Sequence, residues 1–171
     1  MFIDTHCNLY DAYFQDRTHE LEGRAAAAGI QTILLPNINV DSLEALDNVQ
    51  NHYAGLRIER MIGLHPCYVK EDWRDQLDQI EAHYQKNATN YLAVGEIGMD
   101  LYWDTSTESM QVEALNRQLD WAVEWDLPVA LHVRNSFKQL FPVLEEAQER
   151  HNGKLRGVFH CFSGGKKQVC D

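Results

Sequence analysis

Short apolar runs recur along this chain at a regular beat, and that beat limits its fold more than any other feature. The runs are "FIDTH" (2–6), "IQTILLP" (30–36), "RIERMIGLH" (57–65), "NYLAVGEIG" (90–98), "LPVALHV" (127–133) and "LRGVFHCF" (155–162). Each is short enough for a buried strand, and amphipathic segments lie between them. Within 108–126, Leu115, Leu119, Ala122 and Val123 repeat at i, i+4, i+7 and i+8, the stripe of a helix that buries one face. The segment 19–29 ends at Gly29, a residue type favoured just past a helix end, and a helix over 41–53 is expected from the Asp41-x-x-Glu44 capping signal. Strand then helix, five times over, predicts an α/β fold with a parallel sheet and helices outside it.

Polar residues sit at the ends of nearly all these strands. That distribution fits a TIM-type (β/α) barrel better than an open doubly wound sheet, whose site gathers at a single switch point. A closed barrel needs eight strands and about 250 residues. Six strands in 171 residues therefore predict one domain over 1–171 that is an incomplete barrel, about six of eight β/α units, with the C-terminal part missing. Open edges of that kind invite pairing with another copy, so a homo-oligomer is expected.

Composition excludes several classes. Hydrophobic residues at 44% set aside a disordered chain. No apolar stretch approaches the roughly 20 residues that span a bilayer, and the acid at position 4 does not suit a secretory signal. Cys7, Cys67, Cys161 and Cys170 form no C-x-x-C pair and read as reduced thiols, so a cytoplasmic protein is expected. Cys7 and Cys161 directly follow His6 and His160, and alternation turns them towards the helices as small core residues. The net charge of −11 has the wrong sign for a broad nucleic-acid-binding face. A phosphate ester substrate would need bound cations to supply local positive charge.

The eight histidines fall into two sets. His19, His52, His83 and His151 lie in polar stretches and read as surface residues. His6, His65, His132 and His160 lie at or near the C-terminal ends of apolar runs, where barrels of this class build their sites. Glu96, inside "VGEIG", puts a carboxylate in an apolar strand and so wants a cation. Imidazole and carboxylate together suit zinc, and a carboxylate-rich version of the cup suits manganese or magnesium. Two such ions sharing a carboxylate are the equipment of a hydrolase. Asn8 lies two residues beyond His6 and so faces the same side.

The motifs "FIDTHCNL", "GLHP", "AVGEIGMD", "LPVALHVR" and "GVFHCFSG" resemble, in order and spacing, those of the TatD family of metal-dependent deoxyribonucleases. The resemblance implies a TIM-type barrel with up to two divalent metal ions hydrolysing DNA phosphodiesters, with exonuclease action as one form. It also implies that His6 is the first histidine of an H-x-H pair, that Glu96 bridges the metals, and that His132 and His160 hold the second one. His65 matches a histidine that meets substrate phosphate or water, or else it is a packed loop residue before Pro66. Asp100 would orient a ligand.

Two departures stand out. Asn8 replaces the second histidine of the pair, and the family's late aspartate would fall beyond residue 171. On this pattern the metal position with Glu96, His132 and His160 is the one expected to bind. Arg134, facing the same way as His132, suits either a phosphate or a salt bridge with Asp100. Tyr102 and Trp103 suit either base stacking or capping of the mouth. The alternatives to a nuclease are an amide or lactone hydrolase of the same superfamily, or a truncated, non-catalytic family fragment.

Overall fold

The computed structural model describes residues 2–14, 17–50, 52–53, 55–166 and 168. Strands and helices alternate as β1 (Phe2–Asp4), α1 (Thr18–Ala27), β2 (Ile30–Leu35), α2 (Leu43–Asn48), β3 (His52–Tyr53), β4 (Leu56–Ile62), α3 (Trp73–Asn87), β5 (Tyr91–Asp100), α4 (Glu108–Glu124), β6 (Val129–Arg134), α5 (Phe137–Arg150) and β7 (Gly157–Phe159). One sheet runs β1-β2-β4-β5-β6-β7 with every neighbour parallel, and β3 pairs antiparallel with β4. This is the incomplete TIM-type barrel expected from the beat of apolar runs.

Burial follows position in the sheet. In β5 nine of ten residues are buried, as a parallel strand covered on both faces must be. In β1 and β7, at the two edges, no residue is buried; Phe2, Ile3 and Val158 are exposed. Between them, Leu115, Leu119 and Ala122 of α4 pack with Val94, Ile97, Met99 and Leu131 of β5 and β6, and Val123 is partly buried beside them.

The sheet is curled. Five strand spacings separate β1 from β7, about 24 Å in a flat sheet. Yet the rings of His6 and His160, which follow these two strands, stack with centroids 3.8 Å apart. Curling thus gathers the strand ends into one cup.

The segment 41–53 departs from expectation. The cap falls earlier: the Asn39 side chain accepts from the Ser42 N–H, and the Ser42 hydroxyl oxygen accepts from the Asn39 N–H. A reciprocal pair outcompetes Asp41 because it satisfies two donors at once. The helix then ends at Asn48, Val49 is extended, and His52–Tyr53 turn back to pair with Arg57 and Leu56. His52 therefore lies in a strand. Gly29, at φ 74°, terminates α1 as expected.

Candidate metal centre

Glu96 reaches the cup because β5 carries an irregularity. Its register against β6 advances from Val94 to Ile97 while β6 advances only from Val129 to Leu131, the extra residue of a bulge that re-aims a side chain. Glycines on either side permit the close approach. A Cβ at Gly95 would sit 2.7 Å from that of Ala130, and one at Gly98 would collide with the His132 carbonyl. The Glu96 N–H donates to the Asn37 carbonyl at 3.2 Å. Asn37 is fully buried; its amide donates to the Gly63 carbonyl (2.7 Å) and accepts from Ser42 Oγ (2.7 Å), tying the ends of β2, β4 and β5 together.

Two glutamines of α4 complete the frame. Gln118 accepts from the Leu64 N–H (2.7 Å) and donates to the Leu64 carbonyl (3.3 Å), fixing the loop before His65. Gln111 does the same for Asp100, at 2.8 and 2.9 Å. Both are buried, so each amide stands in for a missing ladder partner. Sequence reasoning missed Asn37, Gln111 and Gln118. The signal for the glutamines was their i, i+7 spacing on the apolar face of α4.

Around Glu96, at 4% exposure, three imidazoles converge. Its Oε2 lies 3.4 Å from His6 Nε2 and 3.6 Å from His65 Nε2; its Oε1 lies 3.3 Å from His132 Nδ1. Two donor groups share the carboxylate: His6, Glu96 and His160, and His65, Glu96 and His132. The first differs from the expected pairing of His160 with His132. The curl of the sheet carries the end of edge strand β7 towards β1.

The far nitrogens decide what each ring can do. His132 Nε2 is 2.8 Å from Asp100 Oδ2 and its Nδ1 3.3 Å from Glu96 Oε1, so each ring nitrogen faces a carboxylate. A carboxylate behind a histidine is the usual support of a metal ligand. His65 Nδ1 accepts the Cys67 N–H at 3.2 Å, so the neutral ring carries its proton on Nε2, facing Glu96. His6 Nδ1 is buried with no hydrogen-bond partner.

Charge follows these contacts. Burial lowers the pKa of His65 to about 4 against the pull of Glu96, and lowers that of His6 with help from His160. Burial acts on His132 too, but hydrogen bonds to Glu96 and Asp100 outweigh it and raise its pKa. Burial opposes ionisation of Glu96, yet His132, His65 and His6 together hold its pKa below the ordinary value.

These donors fit a divalent ion. Ligands about 2.0–2.1 Å from a tetrahedral ion lie roughly 3.3–3.4 Å from one another. The His6–Glu96 and His132–Glu96 separations of 3.4 and 3.3 Å match that edge. The buried Nδ1 of His6 supplies a polar atom in need of a partner.

The remaining candidates sit as follows. Asn8 is exposed, and its amide oxygen accepts from the Tyr10 hydroxyl at 3.2 Å. Arg134 makes no salt bridge with Asp100; its guanidinium lies 3.8 Å from the Tyr102 ring centroid. Cys7 is partly buried against the core, whereas Cys161, at φ 46°, is exposed and not a core residue, because β7 is an uncovered edge there. Cys170 lies outside the described residues. His83 binds Asp47 and Tyr91, and His151 binds Asp120, away from the cup.

A curled parallel β/α sheet that gathers histidines and one buried carboxylate at its C-terminal ends defines a metal-dependent hydrolase scaffold. The model of the TatD related DNase family matches residues 3–171, and the chain belongs to that family. It is 34% identical over 173 residues to the uncharacterized metal-dependent hydrolase YjjV of Escherichia coli, covering 98% of this chain and 62% of that protein. It is 30% identical to the 3'-5' ssDNA/RNA exonuclease TatD of Klebsiella pneumoniae, covering 98% of this chain and 61% of that one. The crystal structure of the E. coli YjjV protein superposes with a TM-score of 0.84 at 31% identity, over 98% of this chain and 62% of that one. The chain thus spans less than two thirds of the relatives it matches. No helix among the described residues is long and apolar enough to cross a membrane.

Proposed function

We propose that this chain carries the metal centre of a hydrolase that cleaves DNA phosphodiester bonds, of the exonuclease type named for its relatives. The observation that supports it is the buried Glu96 carboxylate shared by two groups of imidazoles. His6, Glu96 and His160 would hold one ion, and Glu96 with His132 would hold a second. Asn8 offers a neutral oxygen at the rim of the first. Bound there, divalent ions, whether zinc, manganese or magnesium, would supply Lewis acidity to the phosphoryl group and make an attacking water more acidic.

The protein's own groups do the rest. Asp100 orients His132 through Nε2. His65 presents its Nε2 proton to the cup, where it serves a phosphate oxygen or the departing alkoxide. Arg134 supplies a positive charge at the mouth, which the acidic chain as a whole does not.

Incubation with single-stranded DNA and manganese tests the reading, with a model lactone assayed in parallel. DNA cleavage that EDTA abolishes is expected; hydrolysis of the lactone alone would overturn it. The free thiols of Cys7, Cys67 and Cys161 support a cytoplasmic setting. The exposed Phe2, Ile3 and Val158 at both sheet edges support a homo-oligomer, which sedimentation would reveal.

A further inference from the structure

The loop after β5 holds two large aromatic side chains in the open. Trp103 is 70% exposed and Tyr102 51%, while Leu101 just before them is buried. Rings this exposed cover little of the protein and present their surfaces to solvent. They stand edge to face, with centroids 4.8 Å apart. Arg134 covers one face of Tyr102 at 3.8 Å and lies 5.1 Å from the indole.

What distinguishes that arginine is its lack of an acceptor among the described residues: Arg17, also stacked on a tyrosine, donates to the Tyr13 hydroxyl, and Arg60 donates to the Leu46 carbonyl. Arg24, Arg57, Arg74, Arg117, Arg150 and Arg156 each sit against a carboxylate. Among the described residues no carboxylate or other acceptor engages the Arg134 guanidinium. A planar fork stacked on a ring, with its N–H donors unspent, is preorganised for a phosphate.

The group is also tied to the metal cup. Asp100 Oδ1 accepts the N–H of Tyr102 (3.0 Å) and of Trp103 (3.4 Å), while its Oδ2 holds His132. Arg134 lies two residues beyond His132 on β6, about 7 Å along the strand. That is the reach of one stretched nucleotide. The indole further walls a cleft of about 250 Å³ shared with Pro66, Cys67, Lys70 and Thr107.

We propose that Trp103, Tyr102 and Arg134 form a subsite for the nucleotide next to the scissile phosphate of a single-stranded nucleic acid. The base stacks on Trp103, Tyr102 holds the arginine in place, and Arg134 grips the flanking phosphate. Stacking accepts any base, so the subsite selects single strands without reading sequence. It rests on the hydrolytic reading above for its register with the cup, and its test does not depend on hydrolysis.

Four tryptophans are present, and Trp73 and Trp121 are buried while Trp125 is stacked between Tyr84 and Trp121. Only Trp103 can meet a base, so fluorescence quenching in EDTA reports on it. An oligothymidylate is expected to quench, and an abasic phosphodiester of equal length is not. By anisotropy of a labelled oligothymidylate, Trp103→Ala should weaken binding about five- to a hundredfold, with Trp103→Phe restoring most of it. Arg134→Gln should lower the slope of log affinity against log salt by about 0.7. Equal binding of the two oligomers, or quenching by neither, overturns the subsite whether or not DNA is cleaved. Base-dependent quenching without cleavage under manganese supports the subsite and overturns the hydrolytic reading.

Discussion

His6 and His132 approach the same carboxylate at 3.4 and 3.3 Å, yet what stands behind them differs. His132 rises from β6, one strand in from the edge, and Asp100 grips its far nitrogen. His65, its neighbour, is held by the Cys67 N–H. His6 comes from an edge strand, stacks on His160 from the opposite edge, and has a buried Nδ1 with no hydrogen-bond partner. The inner group is held by hydrogen bonds to Asp100 and to the Cys67 N–H. The outer group brings together rings that follow the two edge strands, and the curl of the sheet makes them meet. A site can therefore have two halves of similar composition and different duties, set by what the second ring nitrogen finds.

The largest effect should come from the shared carboxylate. Glu96→Gln is expected to empty both positions and to reduce hydrolysis by roughly 100-fold or more, the upper end of what supporting groups at metal sites cost. His160→Ala should empty only the outer one. Metal counted per chain by elemental analysis separates the two outcomes, and equal losses would erase the distinction between the halves.

Acid is the next lever, in the metal-free protein. A folded pKa of about 4 for His65, below the ordinary histidine value, means that the unfolded chain takes up the proton first. Stability is then complete above about pH 6.5 and falls as pH drops towards 4, by on the order of 3 kcal/mol. His6 acts in the same direction. His132, with a raised pKa, acts oppositely: its contribution is present at low pH and lost as pH rises through its folded pKa. Urea midpoints in EDTA at pH 7 and pH 4.5 should show a net loss, and His65→Gln should remove most of it.

Asp100→Asn should loosen His132 and weaken metal binding at the inner position about 10- to 100-fold, leaving the outer one in place. Competition against a chelating dye would measure both. The smallest change should follow Asn8→Ala. An exposed neutral amide already engaged by Tyr10 is a poor ligand, so outer affinity should shift by about threefold or less.

Much of this molecule was legible in its sequence. The apolar beat specifies strands, because runs this short are buried on both faces only in a covered parallel sheet. Four histidines at strand ends and a carboxylate in "VGEIG" marked the cup, since polar groups in such places need partners. The boundaries of 41–53 were less legible. Asn39 and Ser42 cap each other through geometry that a simple Asp-x-x-Glu count overlooks.

What the sequence by itself determined is the alternation of parallel strands and helices, the family motifs and the five residues His6, His65, Glu96, His132 and His160 that line the cup. Spacing along a strand fixes which side a residue faces, and that needs no distant contact. Which histidines lie together around Glu96 was decided only by the tertiary structure. Curling brings His160 to His6 across the width of the sheet, and one backbone N–H from Cys67 occupies Nδ1 of His65 and leaves its Nε2 to face Glu96. Both depend on chain segments far apart in sequence or on backbone direction, neither of which local pattern encodes.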